Sequence, residues 1–481
     1  MNLEARVILV LLYFLTLYVT LRLESLRHLH IETWLDPTRL TLKFYVITMS
    51  TQTQTIILQP TCPNEANISE YENTQHQSPP EVKWKYPKIL SAGLSFFVAG
   101  INDGSLGSIL PYVIRTYGIN TDMVAVLYGT TFFGWLFAAL TNSTITQYLD
   151  LGPILCLGAG IQILAHVLRV WLPPFGLFVV TFFLASLGQA YNDTHANTFV
   201  ASLPGAHRYL GFIHAMYMAG CLVGPFVATG VASANADSKW SLFYVFPLGI
   251  GIANLVTVGV SFSDRMASAL SLISGAGRER DASGAALREI KDTLSISGVW
   301  LLSLFFFFFL GATITAGGWM VEYLVNVRDG DVKQMGYVPA GFYGGAFLGR
   351  LLLAEPTHLF GERRMIFIYA VLCLGLQLVF WLVPNIITEA VAVSLLGFFM
   401  GPFFATGISV STKIFPPELQ SSAIAFVFVF GQIGGSIFPA LTGIIAARVG
   451  VQVLQPMLVG LIGASGLSWL ILPKDAPLHR D

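Results

Sequence analysis

Two carboxylates lie inside long apolar stretches of this 481-residue chain, and their chemistry is the first feature to explain. Asp103 follows Asn102 in the segment GINDGS, and Asp193 lies with several amides in the segment QAYNDTHAN. A carboxylate in apolar surroundings can bind and release a proton near neutral pH, because burial favours its neutral form. Amides can hydrogen-bond the hydroxyl or carboxylate groups of a solute. The pattern indicates a polar binding site with an exchangeable proton.

The composition places these residues in a membrane. Hydrophobic residues make up 54% of the chain and charged residues only 11%, whereas soluble proteins carry about 25% charged residues. The 26 Lys+Arg and 27 Asp+Glu residues are too few to cover the roughly three soluble domains that this length implies. An ordinary soluble enzyme and a disordered protein are both excluded. The net charge of -1 gives no reason to expect a nucleic-acid partner.

Signals of catalysis and of metal binding are missing from the sequence. No C-x-x-C spacing joins the four cysteines, Cys62, Cys156, Cys221 and Cys373, so neither a disulfide framework nor a zinc site is indicated. The chain has no G-x-x-x-x-G-K-[ST], no H-E-x-x-H and no G-x-S-x-G motif. We therefore expect no enzymatic activity, no cofactor and no metal ion.

Twelve apolar runs are long enough to cross a bilayer, which takes about 20 mainly apolar residues. They are 89–113, 123–144, 153–172, 175–199, 209–232, 240–262, 296–322, 336–354, 365–384, 386–411, 421–447 and 453–472. A polar segment, 263–295, divides them six and six. The sequence predicts an all-α integral membrane protein with two six-helix bundles, 89–262 and 296–472, a central loop at 263–295 and a short tail at 473–481.

The basic residues predict the orientation, because cytoplasmic loops are enriched in Lys and Arg. With residue 88 on the cytoplasmic side, fourteen basic residues fall on that side and five on the other. Both ends of the helical block, the central loop and the short tail are therefore expected in the cytoplasm. We expect a monomer in the plasma membrane, with a vacuolar or other endomembrane as the alternative.

The first 88 residues stand apart from the twelve spans. The apolar run 7–21 is short for a span, and its length suits a signal-peptide core, but no small-residue cleavage site follows it. The run indicates an interfacial helix or a segment upstream of the true start. A thirteenth anchor that places Asn67 outside for glycosylation is the alternative. We predict that Asn67 is unglycosylated.

The two halves repeat one another at a nearly constant offset. Matching residues of the first and seventh spans are separated by 211 positions, of the second and eighth by 215, and of the fifth and eleventh by 213: Gly100, Gly107 and Tyr112 with Gly311, Gly318 and Tyr323; Gly129 and Gly134 with Gly344 and Gly349; Thr229-Gly230 with Thr442-Gly443. Small residues let helices approach closely, which explains each glycine but not the shared offset. A duplicated six-helix unit is the architecture of alternating-access transporters.

Six plus six spans, a central loop and paired halves resemble the major facilitator superfamily over residues 89–472. The loop signature of that family, G-x-x-x-D-R-x-G-R-R, is degraded at 147–152 and half-matched at 360–364. The run Gly100-Ile101-Asn102-Asp103, followed by Leu110-Pro111, is similar to the fucose:proton symporter-like branch and to uncharacterised fungal carriers. The resemblance implies that the first span lines the cavity. It also implies that carboxylates of the first and fourth spans, here Asp103 and Asp193, serve binding and protonation, although Glu is usual at the second position.

The candidate site extends around these carboxylates. Gln189, Asn192, Asp193 and Asn197 fall within an arc of about 140° on one helix, and such a polar face must line a wet cavity or a polar bundle core. For Asp193 the alternative is a helix end that has reached the membrane interface, and for Asp103 it is a carboxylate that only packs helices. His214 of the fifth span is a further candidate, for which a bonded core histidine is the alternative.

Other residues have different expected roles. We expect Arg350, Glu362 and Arg363 to lie at the cytoplasmic rim and to act in gating. Arg169 lies near the outer end of the third span and is expected to extend toward the interface. The run of phenylalanines at 305–309 is most simply interpreted as lipid-facing.

The function that follows is secondary active transport of a small organic solute by alternating access, coupled to protons. The expected partners of the protein are then a small-molecule solute, protons and the lipid bilayer, and uptake of a sugar or small acid is the first interpretation. Export of an amphiphilic metabolite is the alternative. A membrane sensor that binds but does not move its ligand is a second alternative, disfavoured by the short tail.

Overall fold

The computed structural model describes residues 84–204, 206–234, 239–266, 291–416 and 419–473. Within these ranges the chain is helical and contains no strand. Most of the N-terminal tail, including the run 7–21 and Asn67, lies outside the described residues. The middle of the central loop and all but the first residue of the predicted tail also lie outside them.

The first half consists of six long helices. They are α1 (Lys85–Tyr117), α2 (Thr121–Tyr148), α3 (Leu151–Val170), α4 (Phe175–Ala201), α5 (Ala206–Ser233) and α6 (Trp240–Ser261). Turn residues end them: α1 stops at Gly118, whose φ of 61° is the left-handed conformation of a helix cap. The Pro173-Pro174 pair separates α3 from α4.

The second half repeats this pattern. Its helices are α7 (Ser297–Asn326), α8 (Val338–Leu352), α9 (Glu362–Leu382), α10 (Ile386–Ile414), α11 (Gln420–Val449) and α12 (Leu454–Ile471). Short helices, Val332–Met335 and Ala354–Phe360, flank α8. Among the described residues, eleven helices are long and apolar enough to cross a membrane. The exception is α8, whose 15 residues are fewer than its predicted run because the chain bends at Leu353 before the short helix begins.

Corresponding helices pack against each other in the two halves. Contacts of α1 with α5 and α6, of α4 with α2 and α3, and of α3 with α6 have counterparts in α7 with α11 and α12, α10 with α8 and α9, and α9 with α12. One pair of the repeated glycines, Gly134 and Gly349, lies in two of these contacts. A Cβ at Gly134 would lie 2.7 Å from the carbonyl oxygen of Phe183, and one at Gly349 would lie 1.9 Å from that of Phe398. The sequence repeat is thus a repeat of helix contacts.

The halves meet through α1 with α7, α2 with α11, and α5 with α8. We call the side where α1 begins the tail side, and the other the far side. On the far side a Cβ at Gly107 would lie only 1.9 Å from the carbonyl oxygen of Gly317, and Ser108 Oγ donates to the carbonyl of Gly336 at 2.8 Å. No ion pair joins the halves within the described residues. Close backbone packing therefore holds this interface.

An ion pair joins the first and last helices of the first half on the tail side. Lys88, at the start of α1, is 1% exposed and donates from Nζ to Asp264 Oδ2 at 2.7 Å, just beyond α6. This hydrogen bond lowers the pKa of the Asp264 carboxyl from its ordinary value. The charged form of Asp264 is therefore stabilised in the folded protein.

The expectation that the phenylalanine run faces lipid is wrong for three of its five members. Phe305, Phe306 and Phe309 are buried and pack against aromatic residues of α10 and α12, including Phe403 and Trp469. A helix that lies at the centre of its bundle is apolar on all sides. Composition alone therefore does not separate its inner face from its outer face.

Candidate functional site

Asp103 lies where α1, α4 and α5 meet, and neutral donors surround its carboxylate. Oδ2 accepts from Gln189 Nε2 at 2.8 Å and from the hydroxyl of Tyr217 at 3.0 Å. Oδ1 accepts from Asn102 Nδ2 at 3.2 Å. These three donors stabilise the charged form of Asp103. All three are neutral, so protonation of Asp103 breaks no ion pair.

Arg169 supports this cluster from α3. Its Nη1 donates to Asn102 Oδ1 at 2.9 Å, and its Nε donates to Thr181 Oγ1 at 2.8 Å. The guanidinium also lies over the rings of Phe182, at 4.2 Å, and Tyr244, at 5.0 Å. Only 1% of Arg169 is exposed, so the expectation that it extends toward the interface is wrong. Local bonds and two aromatic faces compensate the charge inside the bundle.

Asn192 lies on the side of α4 that packs against α3. With its amide oriented so that both atoms are satisfied, the nitrogen donates to the carbonyl of Leu155 at 2.9 Å. The oxygen accepts from Ala159 N at 3.3 Å and Gln162 Nε2 at 3.1 Å. The side chain is fully buried. Asn192 thus joins α4 to α3 through its hydrogen bonds.

The two remaining predicted site residues of α4, Asp193 and Asn197, lie toward the tail side. Asp193 follows Gln189 by one helical turn, is half-buried, and has one buried oxygen, Oδ1, without a hydrogen bond. Its charge is close enough to that of Asp103 for the two carboxyls to interact electrostatically. Asn197 lies a further turn along and is also half-buried. The structure thus brings Asp103, Gln189 and Asp193 together, while Asn197 lies at the edge of the group.

His214 and Arg350 meet at the interface between the halves. Arg350 Nη1, from α8, donates to the carbonyl of His214, on α5, at 3.3 Å, and its guanidinium lies 5.3 Å from the ring of Phe404 on α10. The His214 imidazole packs between Phe96 and Phe404, at centroid distances of 5.2 and 4.9 Å. Residues from both halves thus form one cationic and aromatic cluster on the tail side of the Asp103 group.

Glu362 and Arg363 make their contacts within the second half. Glu362 accepts from Ser409 Oγ and from Lys413 Nζ, both at 2.7 Å. Arg363 donates to the carbonyls of residues 472 and 473 at the end of α12. These bonds join the tail-side ends of α9, α10 and α12, whereas Arg350 is the predicted gating residue that reaches the other half.

Tyr217 was not identified as a candidate from the sequence. It stands three residues after His214 on one face of α5, which was a signal for its position. A tyrosine in a membrane helix is common enough that this spacing did not single it out. For Arg169, its position near the end of the helix favoured an interfacial side chain over one inside the bundle.

Similar proteins agree with this architecture. The "Bypass of stop codon protein 6" of Saccharomyces cerevisiae is 26% identical over 433 residues, which are 84% of this chain and 86% of that protein. The "Cis,cis-muconate transport protein" of Acinetobacter baylyi is 26% identical over 280 residues, 56% of this chain and 65% of that protein. The crystal structure of FucP in the outward conformation aligns with a TM-score of 0.58 at 15% identity, covering 81% of this chain and 99% of FucP.

Paired six-helix halves are the architecture of membrane transport proteins that work by alternating access. Residues 92–392 and 320–481 match the Major Facilitator Superfamily. The chain belongs to that superfamily, and the resemblance inferred from its sequence is confirmed, as is the all-α membrane fold.

Proposed function

We propose that the chain is a proton-coupled transporter of a small organic solute, with Asp103 as the proton-binding residue. The observation that carries this proposal is the all-neutral shell of donors around the Asp103 carboxylate. A carboxylate paired directly with an arginine resists protonation, because its proton must displace an ion pair. Asp103 instead has Arg169 one residue away, behind Asn102.

Protonation changes what the surrounding donors can do. Charged Asp103 accepts bonds from Gln189 and Tyr217, which lie on two other helices of the first half. Once Asp103 is protonated, these donors are held less strongly and can bond a solute. Binding of proton and solute is then linked, and the pair biases the rocking of the halves. Asp193, Asn197 and His214 extend this proposed site toward the tail side.

The solute is a sugar or a small acid that is taken up, or an amphiphilic metabolite that is exported. The muconate transporter supports a small acid, and FucP, a fucose:proton symporter, supports a sugar. Polar groups lie mainly in the first half, while Phe306 and Phe404 form an aromatic cluster in the second. A solute with one polar and one apolar side fits this asymmetry.

Gating, orientation and location complete the proposal. Arg350 links the halves on the tail side, and Glu362 and Arg363 tie together the ends of the second half that must move as one body. The excess of basic residues supports a cytoplasmic tail side. We assign the plasma membrane as the site of action of a monomer.

The test is uptake into proteoliposomes with and without an imposed proton gradient, using labelled cis,cis-muconate and a panel of sugars and small acids. The wild type is expected to accumulate its solute only when the gradient is present. Asp103→Asn should exchange solute across the membrane but lose accumulation driven by the gradient. Asp122→Asn, which changes an exposed carboxylate at the start of α2, is the matched control and should behave as the wild type. Gradient-driven accumulation by Asp103→Asn would remove Asp103 from the mechanism.

A further inference from the structure

Arg350 has more hydrogen-bond donors than its surroundings use. A guanidinium offers five N–H donors, and one bond, to the His214 carbonyl, is formed at 3.3 Å. Its Nε is buried and has no hydrogen-bond partner. Among the described residues, no carboxylate lies within ion-pair distance of it. Arg350 therefore differs from Arg169, whose donors and rings compensate its charge locally.

Arg350 also lies between two helices that belong to different halves of the protein. It extends from α8 of the second half to α5 of the first, where it contacts the His214 carbonyl one helical turn before Tyr217. A buried arginine without a carboxylate partner inside a membrane protein is a functional candidate by default. A guanidinium with free donors is the side chain best suited to bind a carboxylate, since its planar fork matches the two oxygens.

We propose that Arg350 and Tyr217 bind the carboxylate of an organic anion. The Tyr217 hydroxyl donates a hydrogen bond to Asp103 while Asp103 is charged, and it donates to this anion instead when Asp103 is protonated. This inference rests on the proposed function and names its substrate class. Tyr217 donates to Asp103 at 3.0 Å, and it lies one helical turn after His214, whose carbonyl accepts from Arg350. One hydroxyl thus stands between the proton site and the anion site.

The rings around Arg350 define the rest of the solute. Phe96, His214 and Phe404 pack together beside the guanidinium, and Phe404 continues into Phe306 and Phe428. A carboxylate held at Arg350 would carry a flat or apolar body against these rings. The substrate class is therefore a monocarboxylate with an apolar body, which enters together with the proton on Asp103.

The proposed coupling requires anion binding to depend on pH through Asp103. Titratable and charged groups that face Asp103 come from four other helices: Arg169 of α3, Asp193 of α4, Tyr217 and Cys221 of α5, and Tyr343 of α8. Asp193 is the second carboxylate in this group. A variant of each aspartate is therefore needed to assign the effect.

The experiment measures the thermal unfolding midpoint of the purified full-length protein with benzoate and hexanoate, and with benzamide and hexanamide as uncharged counterparts. An anion should raise the midpoint by several degrees and its amide should not. Arg350→Gln should abolish this increase and Arg350→Lys should keep part of it. Arg448→Gln, which removes an exposed arginine at the end of α11, should leave it unchanged. Equal effects of anion and amide, no effect of either, or full binding by Arg350→Gln would overturn the anion site.

A second measurement tests whether the Tyr217 hydroxyl changes its hydrogen-bond acceptor from Asp103 to the anion. The affinity of the wild type for benzoate should rise about tenfold as the pH falls and Asp103 is protonated. Tyr217→Phe should lose this pH dependence, and Asp103→Asn should bind with the higher affinity at every pH. If Asp193→Asn loses the dependence while Asp103→Asn keeps it, the assignment to Asp103 is wrong. Proton-independent uptake by the wild type would refute the proposed function. The anion site at Arg350 is tested independently of uptake, by the thermal unfolding measurements.

Discussion

Gly107→Ala is expected to open the far side of the transporter. Gly107 lies on α1 where it crosses α7, and a Cβ there would lie 1.9 Å from the carbonyl oxygen of Gly317. Non-bonded carbon and oxygen atoms need about 3 Å or more, so the two helices must part by at least about 1 Å. The obstacle is main chain, which a change of rotamer cannot move. Since α1 and α7 belong to different halves, the strain exists only while the halves are together.

The size of the effect follows from the cost of overpacking. Inserting a methyl group into a close-packed contact costs about 1–3 kcal/mol, and about 1.4 kcal/mol changes an equilibrium tenfold. If the far-side contact breaks when the halves rock apart, the ratio of open to closed molecules should rise about 5-fold to 140-fold. The effect on overall stability should be smaller, because the open conformation relieves the clash.

Pulsed dipolar EPR spectroscopy can measure this ratio. Nitroxide labels at Asn120→Cys and Lys333→Cys, both exposed and on the far side of different halves, report the opening in a background without native cysteines. Gly107→Ala should increase the population with the longer label distance. Gly129→Ala is the matched control, because a Cβ there meets no atom within 4 Å, and it should leave the distribution unchanged.

A second control separates opening from general damage. A Cβ at Gly100 would lie 2.0 Å from the carbonyl oxygen of Tyr217, but α1 and α5 belong to the same half. Gly100→Ala should therefore lower the unfolding temperature without changing the ratio of open to closed molecules. If Gly107→Ala behaves in the same way, the contact does not separate during the cycle and the reasoning fails.

Two further predictions concern stability. Asp264→Asn should lower the free energy of unfolding by about 1–2 kcal/mol at pH 7, because it leaves the buried Lys88 ammonium without its partner. The pKa of Asp264 is lowered in the folded state, so its contribution is present above the unfolded value of 3.8 and is lost as the pH falls through the folded value. Unfolding of the two proteins should therefore converge in acid, and a constant difference would contradict the assignment. Asn192→Leu should lower stability by about 1–3 kcal/mol, since it leaves buried groups of α3 without partners, while gradient-driven uptake is retained by the fraction that folds. Loss of coupling in well-folded Asn192→Leu protein would place this residue in the transport site.

The architecture could be predicted because its signals are long. Apolar runs of about 20 residues recur along the chain, and each run by itself predicts a membrane-spanning helix. The glycine repeat also had a direct structural meaning, because glycines at one offset, such as Gly134 and Gly349, lie at corresponding helix crossings. The predicted run 336–354 contains all of α8, which is Val338–Leu352.

The details of the site could not be predicted in the same way. Helical periodicity placed Asn192 on the same arc as Gln189, but an arc of about 140° is wide enough to face two neighbours. Gln189 contacts α1 and Asn192 contacts α3, and only the packing of three helices decides between them. Arg169 was misjudged for a related reason, since its distance from the helix end does not reveal the aromatic rings that compensate its charge.

The ion pair between Lys88 and Asp264 has a consequence for how the protein is made. It joins the first turn of α1 to the residues directly after α6, so its second partner is synthesised as soon as the sixth helix is complete. The ion pair can then join the two ends of the first half while the second half is still being synthesised. This order agrees with the general tendency of N-terminal units to fold first. The central loop would then follow an already assembled bundle, against which α7 and the later helices are inserted one by one.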